Sequence, residues 1–178
     1  MKDTTLAIRY AKAYIELALS RGQLEQAVEG AKAAAGFFDA SPEARQVLVS
    51  PLIPASDKAE ALSRVLGQGV PAQAQEFVRF VIGKGRAEFL PEILRQVGVL
   101  YEGIRGIRHA EAVSAVEMTP GQIEELSVRL KALTGAEQIV LHTRLDPSLL
   151  GGVRVKVGDV VWDGSLSGRL EELKKKYL

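Results

Sequence analysis

Apolar residues recur at three- and four-residue steps through roughly the first hundred positions, and at two-residue steps in much of the remaining chain. Leu6, Tyr10, Ala13, Tyr14 and Leu17 predict an amphipathic helix from about Thr5 to Ser20, with Ala7, Ala11 and Ala18 widening its stripe and Gly22 ending it. A second helix, about Gln23 to Phe38, carries Ala27, Ala31, Ala33, Ala34 and Ala35, which favour helix and let a neighbouring helix approach closely. Ser41-Pro42-Glu43 reads as a cap, a first-turn proline and an acidic first turn, opening a short helix to about Val49. Pro51 and Pro54 break the chain, Ser56 to Leu66 gathers Ala59, Leu62, Val65 and Leu66 on one side, and Gly67 and Gly69 stop it. Pro71 starts a fifth helix with Ala74, Phe77, Phe80 and Val81 along a face, ending at Gly83-Lys84-Gly85. A sixth begins near Arg86 and passes through Phe89, Leu90, Ile93, Leu94, Val97 and Tyr101, with Pro91 tolerated in its first turn. The first part of the chain is therefore expected to be a six-helix bundle.

The period changes near Gly103 to Gly106. Ile107 to Val116 predicts a strand, Thr119-Pro120 opens a helix with Ile123, Leu126, Leu130 and Leu133 that stops at Gly135, and Gln138 to Thr143 predicts a second strand. Val153, Val155 and Val157 then alternate with Arg154 and Lys156, Gly158-Asp159 supplies a turn, and Val160-Val161-Trp162 starts the returning strand of a Gly-rich β-hairpin. Gly151-Gly152 before it permits backbone conformations or close approaches that a Cβ forbids. After it, Ser165 is placed to cap a last helix through Leu166, Leu170 and Leu173 to Lys174-Lys175-Lys176. The fold class is thus a helical bundle at about 1–105 followed by a small α/β domain at about 106–178, ordered β-α-β-β-β-α.

Composition adds exclusions. With 47% hydrophobic and 25% charged residues the chain has an ordinary globular composition, and a net charge of +1 that stays balanced in both halves argues against a nucleic-acid partner. The absence of cysteine removes disulfides, thiolate metal sites and cysteine catalysis together. Asp146, Asp159 and Asp163 all fall at turns, where aspartate serves its own backbone. Gly83-Lys84-Gly85 lacks the phosphate-loop pattern and follows a helix. His109 and His142 are read as ordinary strand residues without a carboxylate or hydroxyl partner, and the three terminal lysines as complements to a helix dipole. No catalytic residue, cofactor site or metal site is expected. No stretch approaches the roughly 20 apolar residues of a membrane span, and the opening residues hold neither a signal-peptide core nor an import leader.

The span LDPSLLGGVRVKVGDVVWDGSLSGRLEEL nevertheless resembles a specific signature, that of the F-type ATP synthase delta subunit, the oligomycin-sensitivity-conferring protein of mitochondria. The resemblance rests on Asp146, Pro147, Gly151, Gly152, Gly158, Asp159, Asp163, Gly164, Ser165 and Arg169 in register. Trp162 departs from the smaller aliphatic residue usual in the family, which reads as local repacking. Further matches run along the chain at Tyr10-Ala11-Lys12-Ala13, Leu48 to Pro51, Gly85-Arg86 with Phe89-Leu90, and Ala110 to Ala115.

This resemblance implies a non-catalytic stator subunit, whose N-terminal domain grips the catalytic head and whose C-terminal domain meets the peripheral stalk. Its partners would be the N-terminal helices of the alpha subunits and the C-terminal ends of the b subunits, in a hetero-oligomer that is itself not inserted in the bilayer. The implied place is the cytoplasmic side of a bacterial plasma membrane, as a peripheral component. The alpha helix would lie against the first and fifth helices, on a face drawn from Tyr10, Ala13, Tyr14, Phe77, Phe80 and Val81. Aromatics at helical spacing also serve as core, so the periodicity leaves open which of these point inward. The competing reading is a small soluble enzyme with its site between the domains, for which no triad, ligand set or phosphate loop speaks.

Overall fold

Small and branched apolar residues at helical spacing fold the beginning of the chain into six α-helices: α1 (Thr4–Ser20), α2 (Leu24–Ala40), α3 (Pro42–Val49), α4 (Ala55–Leu66), α5 (Ala72–Gly83) and α6 (Leu90–Ile104). The computed structural model describes residues 4–67 and 69–170. Its contacts divide the chain into two units, with the boundary between Tyr101 and Glu102. No helix among the described residues is long and apolar enough to cross a membrane.

In the first unit, Phe38, Ile82, Leu90, Ile93 and Val97 are fully buried in one apolar cluster. Of the alanines of α2, Ala27, Ala31 and Ala34 are inside and Ala35 is half-buried, whereas Ala33 is exposed; at Gly30 an added Cβ would stand 2.8 Å from Ala74 Cβ of α5. The two backbones pack at a distance only glycine allows there. Lys58 is buried on α4, where its Nζ donates to the Leu48 carbonyl at 2.9 Å, in the last turn of α3. A cation there answers carbonyls that no helical N–H reaches.

One helix start differs from expectation. The sixth helix does not begin at Arg86; Ala87–Phe89 form a 3-10 turn and α6 starts at Leu90. Pro91 lacks an N–H, so it suits a first turn, where N–H groups have no helical acceptor, rather than the interior of a longer helix; Leu90 before it is itself helical, at φ −56 and ψ −45. Among the described residues the first unit thus holds six α-helices and a 3-10 turn before the last, which departs from the plain six-helix bundle expected.

The second unit holds β1 (Ile107–Ser114), α7 (Pro120–Thr134), β2 (Gln138–Leu145), a 3-10 turn at Pro147–Leu149, β3 (Val153–Val157) and β4 (Val160–Asp163). The sheet order is β2-β1-β3-β4, with β1 parallel to β2 and the other neighbours antiparallel. The parallel pair needs a crossover, which α7 supplies. Thr119 and Gln122 cap α7 reciprocally: Gln122 N donates to Thr119 Oγ1 at 3.4 Å, and Thr119 N to Gln122 Oε1 at 2.9 Å. Ala110, Ala112, Val155 and Val157 form the buried sheet face with Leu130 of α7, and Trp162, opposite Val155, packs against that cluster half-buried. The alternate residues His109, Glu111 and Lys156 are exposed on the other face.

Ten signature positions knit the end of this sheet. Asp146 Oδ1 accepts from Ser148 N and Oγ, capping the 3-10 turn. Gly158-Asp159 joins β3 to β4, whose register sets Val157 against Val160. Asp163 Oδ1 accepts from Ser165 N and Oγ, and Ser165 Oγ accepts in turn from Gly168 N at 3.1 Å, capping the helical backbone of residues 166–170. Gly164 N donates to Val153 O, and Arg169 N to Ser165 O. Leu166 N donates to Gly151 O, beside Gly152. Gly152 has φ +81, and a Cβ there would lie 2.4 Å from Gly164 O and 3.0 Å from Ser165 Cα. Both its backbone angle and its surroundings demand glycine. The expected continuation of the last helix to Lys174-Lys175-Lys176 lies outside the described residues.

Candidate partner-binding groove

Helices α1 and α5 each bury one stripe and leave the next one open. On α1, Ala7, Ala11, Tyr14 and Ala18 face the core, while Ala13 and Leu17 stay exposed beside them. On α5, Ala74, Phe77, Val78, Val81 and Ile82 face inward, while Glu76 and Phe80 are exposed and Gln73 is half-buried. The helices are joined by two aromatic rungs. The rings of Tyr14 and Phe77 stack with centroids 4.1 Å apart, and those of Tyr10 and Phe80 meet at 6.3 Å with a 47° tilt. Rising numbers on α1 pair with falling numbers on α5, so the two helices run antiparallel at these rungs.

A groove of about 340 Å³ opens along this seam. Tyr14 and Phe77 give its floor, Ala13, Leu17 and Phe80 its apolar walls, and Arg21, Gln73 and Glu76 its polar margin. Leu17 is 44% exposed and Phe80 52%, large apolar side chains held open on the same groove. That arrangement marks a surface for another apolar face. The Phe80 ring is fixed from two sides, by Tyr10 and by the Lys84 ammonium 5.5 Å from its centroid. Tyr14 is held from below: its hydroxyl donates to Ala27 O at 3.3 Å, and burial pushes its pKa up to about 12. It remains a neutral donor committed to α2.

Of the six residues expected to form the contact face, Ala13, Tyr14, Phe77 and Phe80 come together in the groove. Tyr10 is half-buried and reaches it through the Phe80 ring. Val81 is fully buried in the apolar cluster and does not line the groove, because one step along α5 from Phe80 turns the side chain toward the core. Leu17, read from sequence only as part of the α1 stripe, completes the lining with Arg21, Gln73 and Glu76, which were not singled out by sequence, although positions 73, 76, 77 and 80 share one helical face. The amide nitrogen of Gln73 is buried without a hydrogen-bond partner among the described residues.

The turn carboxylates of the second unit serve structure. Hydrogen bonds from Ser148 lower the pKa of Asp146, and hydrogen bonds from Ser165, then Arg154, lower that of Asp163 to about 2. Both are acceptors in turns, as expected. The two histidines correct the sequence reading: they are not isolated, for the parallel pairing of β1 with β2 brings His109 Nδ1 to 3.4 Å from His142 Nε2, and Glu102 Oε2 lies 3.1 Å from His109 Nε2.

Residues 6–177 match the family described as ATP synthase delta (OSCP) subunit. Among relatives named ATP synthase subunit delta, that of Trichodesmium erythraeum is 34% identical over 92% of this chain and 90% of its own length. That of Crocosphaera subtropica is 35% identical over 96% and 92%, and that of Heliobacterium modesticaldum 34% over 100% and 96%. A solved chain of the Toxoplasma gondii mitochondrial ATP synthase hexamer shares the fold, with a TM-score of 0.67, 19% identity and 96% of both chains covered. Two helical and sheet-bearing units, a signature spent on turns and caps, and a family match over nearly every residue lead to one conclusion: this chain belongs to the ATP synthase delta (OSCP) subunit family.

Proposed function

We propose that this chain ties the catalytic head of a rotary ATP synthase to its peripheral stalk by receiving an alpha-subunit N-terminal helix in the groove between α1 and α5. As a delta (OSCP) subunit it is a non-catalytic structural part of the synthase and a peripheral component of a membrane-bound complex. The rotor exerts torque on the head, and a stator must hold the head still. The helical unit, residues 1–105 in this reading, grips the head, and residues 106–178 meet the C-terminal ends of the b subunits. The complex sits at a bacterial plasma membrane, with this subunit on the cytoplasmic side.

One observation carries the reading: the groove is apolar, open, and floored by rigid aromatic rings. An amphipathic helix with anchors at three- and four-residue steps would fill it. Arg21 and Glu76 at the margin would meet polar residues flanking that apolar face.

The test is titration of the full chain with a peptide from the N-terminus of the alpha subunit of the same source. Saturable binding that induces helix in the peptide, and is lost in Phe80→Asp, is the expected result. If a folded Phe80→Asp chain binds like the wild type, the groove is not the site.

A further inference from the structure

We propose that His109 and His142, assisted by Glu111 and Glu102, form a binding site for a divalent transition metal of the zinc class on the exposed face of the sheet. The distance between His109 Nδ1 and His142 Nε2 is 3.4 Å. Two nitrogens bound to one tetrahedral zinc at about 2.0–2.1 Å stand about 3.3–3.4 Å apart, so the pair already has the required bite. Ring centroids 5.7 Å apart and planes within 6° mean that the imidazoles lie edge to edge, nitrogen facing nitrogen, rather than face to face. A modest rotation of each exposed ring turns its lone pair toward a common point off the line between them.

The surroundings favour the same use. His109 holds its other nitrogen, Nε2, against Glu102 Oε2 at 3.1 Å, the carboxylate–imidazole support that fixes the tautomer of a metal-binding histidine and leaves Nδ1 free to coordinate. Glu111 lies two residues from His109 on the same strand face and is the register partner of His142. No third ligand is in place among the described residues. Among the described residues Glu111 pairs with Arg144 at 3.8 Å, half exposed, a loose contact that lets it swing to the metal as a third ligand, with water completing the coordination. Nitrogen-rich, sulfur-free donors suit zinc and its neighbours rather than calcium or magnesium. Because β2 lies at the edge of the sheet among the described residues, beside β1, the metal would pin that edge to the sheet.

The chain contains only these two histidines and no cysteine, which makes the test unambiguous. The untagged full chain is titrated with zinc chloride by calorimetry, while the imidazole proton resonances are followed by NMR. The expected result is one zinc per chain, with both imidazoles shifting together, and an affinity at least about tenfold lower in His109→Ala and in His142→Ala. Glu102→Ala and Glu111→Gln should weaken binding by smaller factors. Equal metal-free unfolding temperatures of wild type and variants establish that the exposed substitutions leave the fold intact. No saturable binding up to millimolar zinc, or a His142→Ala isotherm like that of the wild type, would overturn the proposal.

Discussion

Arg154 and Asp163 face each other across β3 and β4, with Nε 2.8 Å from Oδ2, while the other oxygen of Asp163 receives both the N–H and the hydroxyl of Ser165. A single carboxylate thus closes the ladder and starts the next helical turn. Ser165 bonds and the Arg154 guanidinium lower its pKa from 3.8 to about 2 in the folded chain. Stability from this group is present above pH about 4, where an unfolded aspartate is also ionised, and is lost as pH falls toward about 2. Asp163→Asn should lower stability at neutral pH and flatten the acid limb of the unfolding curve over that window, measured by denaturant melts at stepped pH.

Gly152→Ala should destabilise the second unit by about 2–4 kcal/mol, since it combines a left-handed backbone with an enforced clash against Gly164 O. Gly158→Ala, which meets nothing within 4 Å and carries only the backbone term, should cost about 1 kcal/mol. The ranking of the two unfolding free energies is the check.

Tyr14→Ala is a poor probe of partner binding, because it removes a 3% exposed ring from the core and should cost about 3–5 kcal/mol in stability. Tyr14→Phe keeps the stack on Phe77 and loses one hydrogen bond, about 1 kcal/mol. It should also remove an alkaline loss of stability. The pKa of Tyr14 is raised from 10.0 to about 12 when folded, so its contribution is intact below pH 10 and lost as pH rises toward 12. Melts of the wild type and Tyr14→Phe across that range test this, the wild type losing stability that the variant keeps.

Lys58→Met preserves the aliphatic stem and deletes the ammonium that answers Leu48 O at the end of α3. The expected loss is about 1–3 kcal/mol, the cost of leaving a buried acceptor unmet. Binding of the alpha peptide in the α1–α5 groove should be unchanged, which separates this structural lysine from the groove.

Elements defined by local chemistry were legible in the sequence. Thr119-Pro120 with Gln122 marks the start of α7, and Pro42 that of α3, because caps and first-turn prolines act within a few residues; Ser41 holds the N-cap position of α3 but its side chain makes no capping hydrogen bond. Face membership was less so. Periodicity grouped Phe80 with Val81, yet only the packing of α5 against its neighbours puts one at 52% exposure and the other at 0%. Pro91 was placed in a first turn correctly, but the turn begins at Leu90 because the preceding residues tighten into a 3-10 turn. The pairing of His109 with His142 had no local signal at all, since it depends on a parallel register set by a helix between them.

The position of β1 in the sheet order has a consequence for synthesis on the ribosome. Contacts in the helical unit reach from α1 and α2 across to α5 as well as between successive helices, but every partner is translated before β1, so that unit can fold as it emerges. β1 must instead wait, since it is flanked by β2 on one side and by β3 on the other, and its partner for Ala110 is Val157. The first unit can therefore be folded while the central strand of the second is still exposed. Until β3 arrives, the nascent sheet edge is guarded by the charges of Arg108 and Glu111 on β1 rather than by pairing. Replacing those charges with apolar residues would burden translation before it altered the finished subunit.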